Sequence, residues 1–130
     1  MGIILDILTS EAFRKRSAMY VGSAEFRAVG WWLQGIEFCS HEMLPNQPPE
    51  LDGFREWLHM KLDGPGNTNW QGIITDLFGN DEEATKKTFE YLDDFLRDLD
   101  ELGFDRIIND HAEYEKKRYG FLSSSRLGKR

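Results

Sequence analysis

Three histidines, one cysteine and a dense set of carboxylates are the side chains of this sequence that could carry chemistry. His41, His59 and His111 lie far apart, and none stands in the HExxH spacing by which a single helix offers two imidazoles to zinc. Cys39 and His41, two residues apart, would need two further ligands to close a metal site. His41-Glu42 instead suits a helix end, where a cation is favoured beside the last carbonyls. Cys39 would act as a nucleophile only if a histidine and a positive environment met it in the fold. In a segment so dense in Trp and Phe, burial as a small hydrophobe is the expectation. Glu90, Asp94 and Asp98 follow at one-turn intervals and can share acid and base roles or hold a divalent cation. Glycosidase-type chemistry, however, needs two carboxylates flanking a cleft. Gly64-Pro65-Gly66-Asn67-Thr68-Asn69 fits neither GxxxxGK(S/T) nor GxGxxG, so it reads as a loop and not as a phosphate cradle. The residues therefore give no catalytic residue, no metal ligand and no cofactor.

The element that organises the chain is the stretch from Asp81 to Leu102. Ala84, Thr88, Phe89, Leu92, Phe95, Leu96 and Leu99 recur at helical period, which makes one stripe face a core. Asn80 or Asp81 caps its start, Glu82 and Glu83 sit against the exposed amides of the first turn, and Gly103 supplies the stop. Its other face is acidic: nine Asp and Glu oppose Lys86, Lys87 and Arg97. One helix thus builds the core and presents the main electrostatic feature.

Around it, residues 3–16 carry enough apolar spacing for one or two short helices, with Thr9 or Ser10 as a cap and Arg14-Lys15-Arg16 at the end. Ser17 to Gly22 reads as an extended link. A helix from about Ala24 to Met43, capped by Ser23, has Trp31, Trp32 and Phe38 widening its apolar side, which predicts burial over more than one face. Pro45, Pro48 and Pro49 end it in a loop. Further helices are expected over Glu50 to Leu62, from Thr68 or Asn69 to Phe78, and from Phe104 to Arg118. Asp110 and Glu113 have capping-box spacing, which allows a break near Asn109. The fold expected is an all-α, single-domain bundle of five or six helices with short loops, spanning 1–122, with 123–130 as a flexible basic tail.

At 130 residues the chain can bury one core unaided, and its 13% aromatic content argues against disorder. A single Cys39 excludes an intrachain disulfide. The opening apolar run is short, carries Asp6 and follows no basic residues, so a cytoplasmic protein without a secretion signal or a membrane partner is expected. The net charge of −7 is uneven: all 23 acidic residues precede position 116, whereas residues 116–130 carry only Lys and Arg as charged groups. An acidic body repels nucleic acid and attracts basic protein. No DNA-binding motif accompanies Arg14-Lys15-Arg16 or the basic tail, so no nucleic-acid partner is expected.

Two resemblances follow from these residues. Glu11-Ala12-Phe13-Arg14-Lys15-Arg16-Ser17-Ala18-Met19-Tyr20-Val21-Gly22 resembles the RKRPGMYIG segment of type II topoisomerase ATPase subunits, with Ser17-Ala18 in place of proline-glycine. The ATP-binding loop of that family has no counterpart here, so the likeness implies no ATP hydrolysis. The order of the MYxG segment, Phe54-Arg55-Glu56-Trp57-Leu58 with Lys61, Asn69-Trp70 with Ile73-Ile74, and Asp81-Glu82-Glu83-Ala84 followed by Phe89 through Phe95 is similar to small, poorly characterised bacterial proteins. Some proteins of this size and acidity are immunity proteins that neutralise toxins, and that likeness implies no catalytic motif.

The function expected is therefore binding. Glu90, Asp93, Asp94, Asp98 and Glu101 would meet a basic patch on a cognate toxin, such as a nuclease, and Tyr91 would anchor the contact. A regulatory helical protein with another partner and a small hydrolase using paired carboxylates are the alternatives. Tyr20, Trp31, Tyr91, Tyr114 and Tyr119 fall outside the expected cores and could mark an interface. The oligomeric state is not legible.

Overall fold

The computed structural model describes the backbone of residues 3–43 and 51–128, with side chains for residues 4–43 and 51–119. Among the described residues the protein is all-α, with α1 (Ile3–Thr9), α2 (Glu11–Lys15), α3 (Ser17–Val21), α4 (Phe26–Met43), α5 (Phe54–Leu62), α6 (Trp70–Phe78), α7 (Glu82–Leu102) and α8 (Phe104–Gly128). The class agrees with the sequence, but the helices number eight among these residues, not five or six. The extra elements arise before residue 22. Ser10 Oγ accepts the Phe13 amide and starts α2, separating it from α1. Residues 17–21, expected as an extended link, instead close a single helical turn, with Gly22 N–H donating to Ala18 O and Gly22 in the left-handed region at φ 93°.

α7 occupies the centre and packs against α1, α4, α5, α6 and α8. Its cap is as expected: the Asp81 carboxylate accepts the Glu83 amide at 3.1 Å, and Gly103 closes the C-terminus. Ala84, Thr88, Leu92 and Phe95 are completely or almost completely buried, and Thr88 Oγ1 returns its proton to Ala84 O. Burying a Leu or Phe side chain contributes roughly 1.5–3 kcal/mol, so this stripe is the main hydrophobic seam of the molecule. Aromatic rings from other elements complete it. Phe54 lies 5.2 Å from Phe95 and 5.4 Å from Trp70, and Phe13 stacks on Trp32 at 5.4 Å.

α4 starts against the turn that precedes α7. Phe26 and Arg27 amides donate to the carbonyls of Asp81 and Asn80 at 3.1 and 3.2 Å, which satisfies first-turn donors that a side-chain cap would otherwise serve. Ser23 Oγ accepts the Glu25 amide just before the helix. Phe26, Val29, Gly30 and Leu33 are buried on one side. Of the residues expected to widen the buried side, Trp32 packs partly against the core, but Trp31 is 71% exposed and Phe38 66%. Both stand roughly half a turn around the helix from Leu33, on the side away from the core.

α5 packs chiefly on α8. α8 runs through Asn109 without the expected break, because Arg106 and Asp110 pair one turn apart across that point and Ile107 and His111 are buried. Its interruption comes at Tyr119, where φ −117° and ψ 15° are not helical. The helix continues to Gly128, so residues 123–128 of the expected tail belong to its last turns. The proline loop at Pro45, Pro48 and Pro49 lies outside the described residues, as do the side chains of the tail.

Candidate functional site

The six residues expected to bind a partner lie along α7, but most already engage their own protein. Asp93 receives both terminal nitrogens of Arg14, at 2.7 and 2.8 Å, while Arg14 Nε donates to Leu8 O and its guanidinium stands over the Phe89 ring. That bidentate pair ties α2 to α7. Asp98 accepts the indole N–H of Trp57 at 2.9 Å. Tyr91 is half-buried, stacked on Phe78 at 5.8 Å and 6.4 Å from Trp57, so it fills a gap between helices rather than standing clear as an anchor. Glu90 pairs with Lys87 and Asp94 with Arg97 along the same helix, while Glu101 is exposed.

The exposed apolar surface lies elsewhere. Trp31, Trp32, Gly35, Ile36, Cys39, Ser40 and Met43 line a shallow groove of about 640 Å³ on the outside of α4. Gly35 has open space where a side chain would stand, so it forms the groove floor. Phe38 and Met43, 66% and 79% exposed, extend the surface, and Met19 and Tyr20 expose 73% and 56% of their area on α3. Tyr20 connects to the groove through Phe13, whose ring lies 5.9 Å from Tyr20 and stacks on Trp32. Cys39 is exposed on this face, which corrects the expectation that it would be buried. Of the aromatic positions singled out from the sequence, Tyr20 and Trp31 are exposed, whereas Tyr91, Tyr114 and Tyr119 are half-buried.

A polar cluster forms where α5 meets α8. His59 is fully buried and His111 nearly so, and His59 Nδ1 lies 2.9 Å from His111 Nε2. His59 Nε2 is 3.3 Å from Tyr119 Oη, and His111 Nδ1 is 3.7 Å from Glu115 Oε1. Burial lowers the His59 pKa below its usual 6.5; His111, Arg55 and Arg118 act in the same direction, and Glu115 opposes them. Gly66 lies against the outer edge of this ring, where a Cβ would come 3.0 Å from His59 Nε2. The loop carrying Gly66 is held by Arg55, which donates to the carbonyls of Gly66 and Thr68 at 2.5 and 2.8 Å.

The end of α5 is clamped to the same part of α8. Asp63 adopts a left-handed conformation at φ 53°, and its carboxylate accepts from Tyr114 Oη and from Arg118 Nη1. Burial, followed by the Asp63 carboxylate, raises the Tyr114 pKa above 10, so the phenol remains a donor at neutral pH. Gly66, Asn67, Ala112, Glu113, Glu115, Lys116 and Tyr119 enclose an adjoining cleft of about 700 Å³.

No family model, curated protein or solved structure matches this chain. The site is therefore read from its own geometry. Sequence reasoning placed no pair of histidines together, because 52 positions separate His59 from His111 and only the docking of α5 on α8 joins them. The one local signal was His111 followed four residues later by Glu115, which puts imidazole and carboxylate on one helix face.

Proposed function

We propose that this chain is a non-enzymatic binding protein for a basic protein partner, and specifically an immunity protein that neutralises a bacterial toxin by covering its surface. The observation that carries the reading is the outer face of α4. Trp31, Phe38 and Met43 stand largely in water around the Gly35 groove, although the protein is rich enough in charge to cover its surface with polar groups. Contiguous exposed aromatic and methionine side chains of this kind mark protein contacts, where such residues supply most of the binding energy.

Charge supports the choice of partner. The net −7 of the chain favours approach by a positively charged surface, and a toxin acting on RNA or DNA carries one. Trp31 and Phe38 anchor the contact in this reading. Glu90, Asp94 and Glu101 steer the approach, while Asp93, Asp98 and Tyr91 keep α7 in place. Cytoplasmic location belongs to the same proposal; among the described residues no helix is long and apolar enough to cross a membrane. The paired-carboxylate hydrolase gains no support, since Glu90 and Asp94 each bridge to a basic residue of their own helix.

The test is titration of the purified protein with the protein encoded immediately upstream of it, the proposed toxin. A complex at micromolar concentration or tighter, weakened when Trp31 and Phe38 are both changed to Ala, supports the proposal. Absence of a complex with that toxin at micromolar concentration defeats the immunity reading.

A further inference from the structure

We infer that His59, His111 and Glu115 form a binding site for one divalent first-row transition ion of the Zn²⁺, Co²⁺ or Ni²⁺ class. One nitrogen from each histidine and one Glu115 oxygen lie within 4.8 Å of one another. His111 and Glu115 share a face of α8, and His59 comes from α5, so the set is assembled by packing between two helices. Two imidazoles with one carboxylate suit these ions better than Mg²⁺ or Ca²⁺, which take mainly oxygen ligands.

The hydrogen-bond chain shows where the ion would enter. Glu115 Oε1 stands 3.7 Å from His111 Nδ1, beyond hydrogen-bond distance, and its charge favours the proton on that nitrogen, leaving a lone pair on Nε2. His59 Nδ1–H then donates to that lone pair, and Tyr119 O–H donates to His59 Nε2. Without an ion, the two imidazoles and the Tyr119 phenol are joined in one directed chain. An ion takes the place of the hydrogen shared between the imidazoles. The His59 proton moves from Nδ1 to Nε2, Tyr119 Oη turns from donor to acceptor, and the total number of protons is unchanged.

Two nitrogens bound tetrahedrally at about 2.0–2.1 Å stand roughly 3.3 Å apart. The 2.9 Å separation therefore has to widen by a few tenths of an ångström. Glu115 and Tyr119 line the cleft, so water can complete the coordination from that side. Tyr119 Oη, 3.3 Å from His59 Nε2, orients that imidazole, which is the kind of outer support that histidine ligands require. Nearby cations are compensated: Arg118 is held by Asp63, while Arg55 is spent on loop carbonyls and lies 3.8 Å from Glu56.

The experiment adds Zn²⁺ to the full-length, metal-free protein in a calorimeter and records the visible spectrum after adding Co²⁺. The expected result is one ion per chain and the intense ligand-field bands of low-coordinate Co²⁺. His111→Gln should remove both signals. Glu115→Gln, altered at a half-buried position that lines the cleft, should weaken binding by at least about tenfold. Cys39→Ser with His41→Gln, which removes the one thiol and the remaining imidazole, should change neither signal. No binding by the native chain overturns the inference, as does binding that survives Glu115→Gln and His111→Gln but is lost with Cys39 and His41. Because the probe is the metal alone, failure leaves the partner-binding reading untouched.

Discussion

His59 carries an imidazole into the interior, and the consequence is a dependence of stability on pH. Its folded pKa is lowered, chiefly by burial, from the ordinary value of 6.5. The contribution is fully present above 6.5 and is lost as pH falls from there through the lower folded value, because the unfolded chain then binds the proton more readily. Urea unfolding between pH 8 and pH 5 should show stability falling through that window, with a shallower fall in His59→Gln. An identical slope in the variant would remove His59 as the cause. Asp98 makes a second residue-scale prediction. Asp98→Ala leaves the Trp57 indole N–H without its acceptor and should cost about 1–2 kcal/mol in urea unfolding, whereas Glu101→Ala, exposed at the end of α7, should stay within about 0.5 kcal/mol. Equal effects at the two positions would mean that Asp98 is as much a surface group as its charge suggests. Sequence could not separate these two carboxylates, because only the position of Trp57 on a different helix distinguishes them.

At the scale of elements, α7 is the most dependent on its apolar stripe. Leu92→Ala should cost about 2–5 kcal/mol, since Leu92 is fully buried and its neighbours are anchored on several helices. α6 depends instead on the turn before it. Asn69 accepts the Gly72 amide, and a Cβ at Gly72 would lie 1.8 Å from Thr68 Oγ1 and 2.9 Å from Thr68 Cβ. Gly72→Ala must therefore displace that turn and should cost about 1–3 kcal/mol in the same measurement. A neutral effect would show that the turn at Thr68 and Asn69 gives way without cost. α7 was legible because period, cap and stop all agree within the segment, and α6 fell inside the span expected from Asn69 to Phe78. α3 was not: five residues are too few to show a period, and its turn is closed by backbone bonds ending at Gly22. The outward aromatics of α4 were misread for another reason. Trp and Phe look like core by type, although their positions relative to Leu33 already placed them on the opposite side of the helix.

The whole molecule carries a net charge of −7 and exposes an apolar aromatic face on α4, and the proposed binding needs both to act on one partner. The His59 and His111 cluster arises at the same scale, from helices distant in sequence, which is why residue spacing alone gave no site there. Salt should slow association with a basic partner by screening the net charge, while changes on α4 should act mainly through dissociation. The most direct measurement is the affinity of the proposed toxin partner for the native chain and for Trp31→Ala/Phe38→Ala, with thermal unfolding recorded for both. Both side chains are largely in water, so the variant should unfold at nearly the native temperature. Its affinity should fall by roughly 30-fold or more, the loss of about 2 kcal/mol expected of an aromatic anchor. Native affinity in a folded variant would contradict the claim that this face of α4 holds the partner.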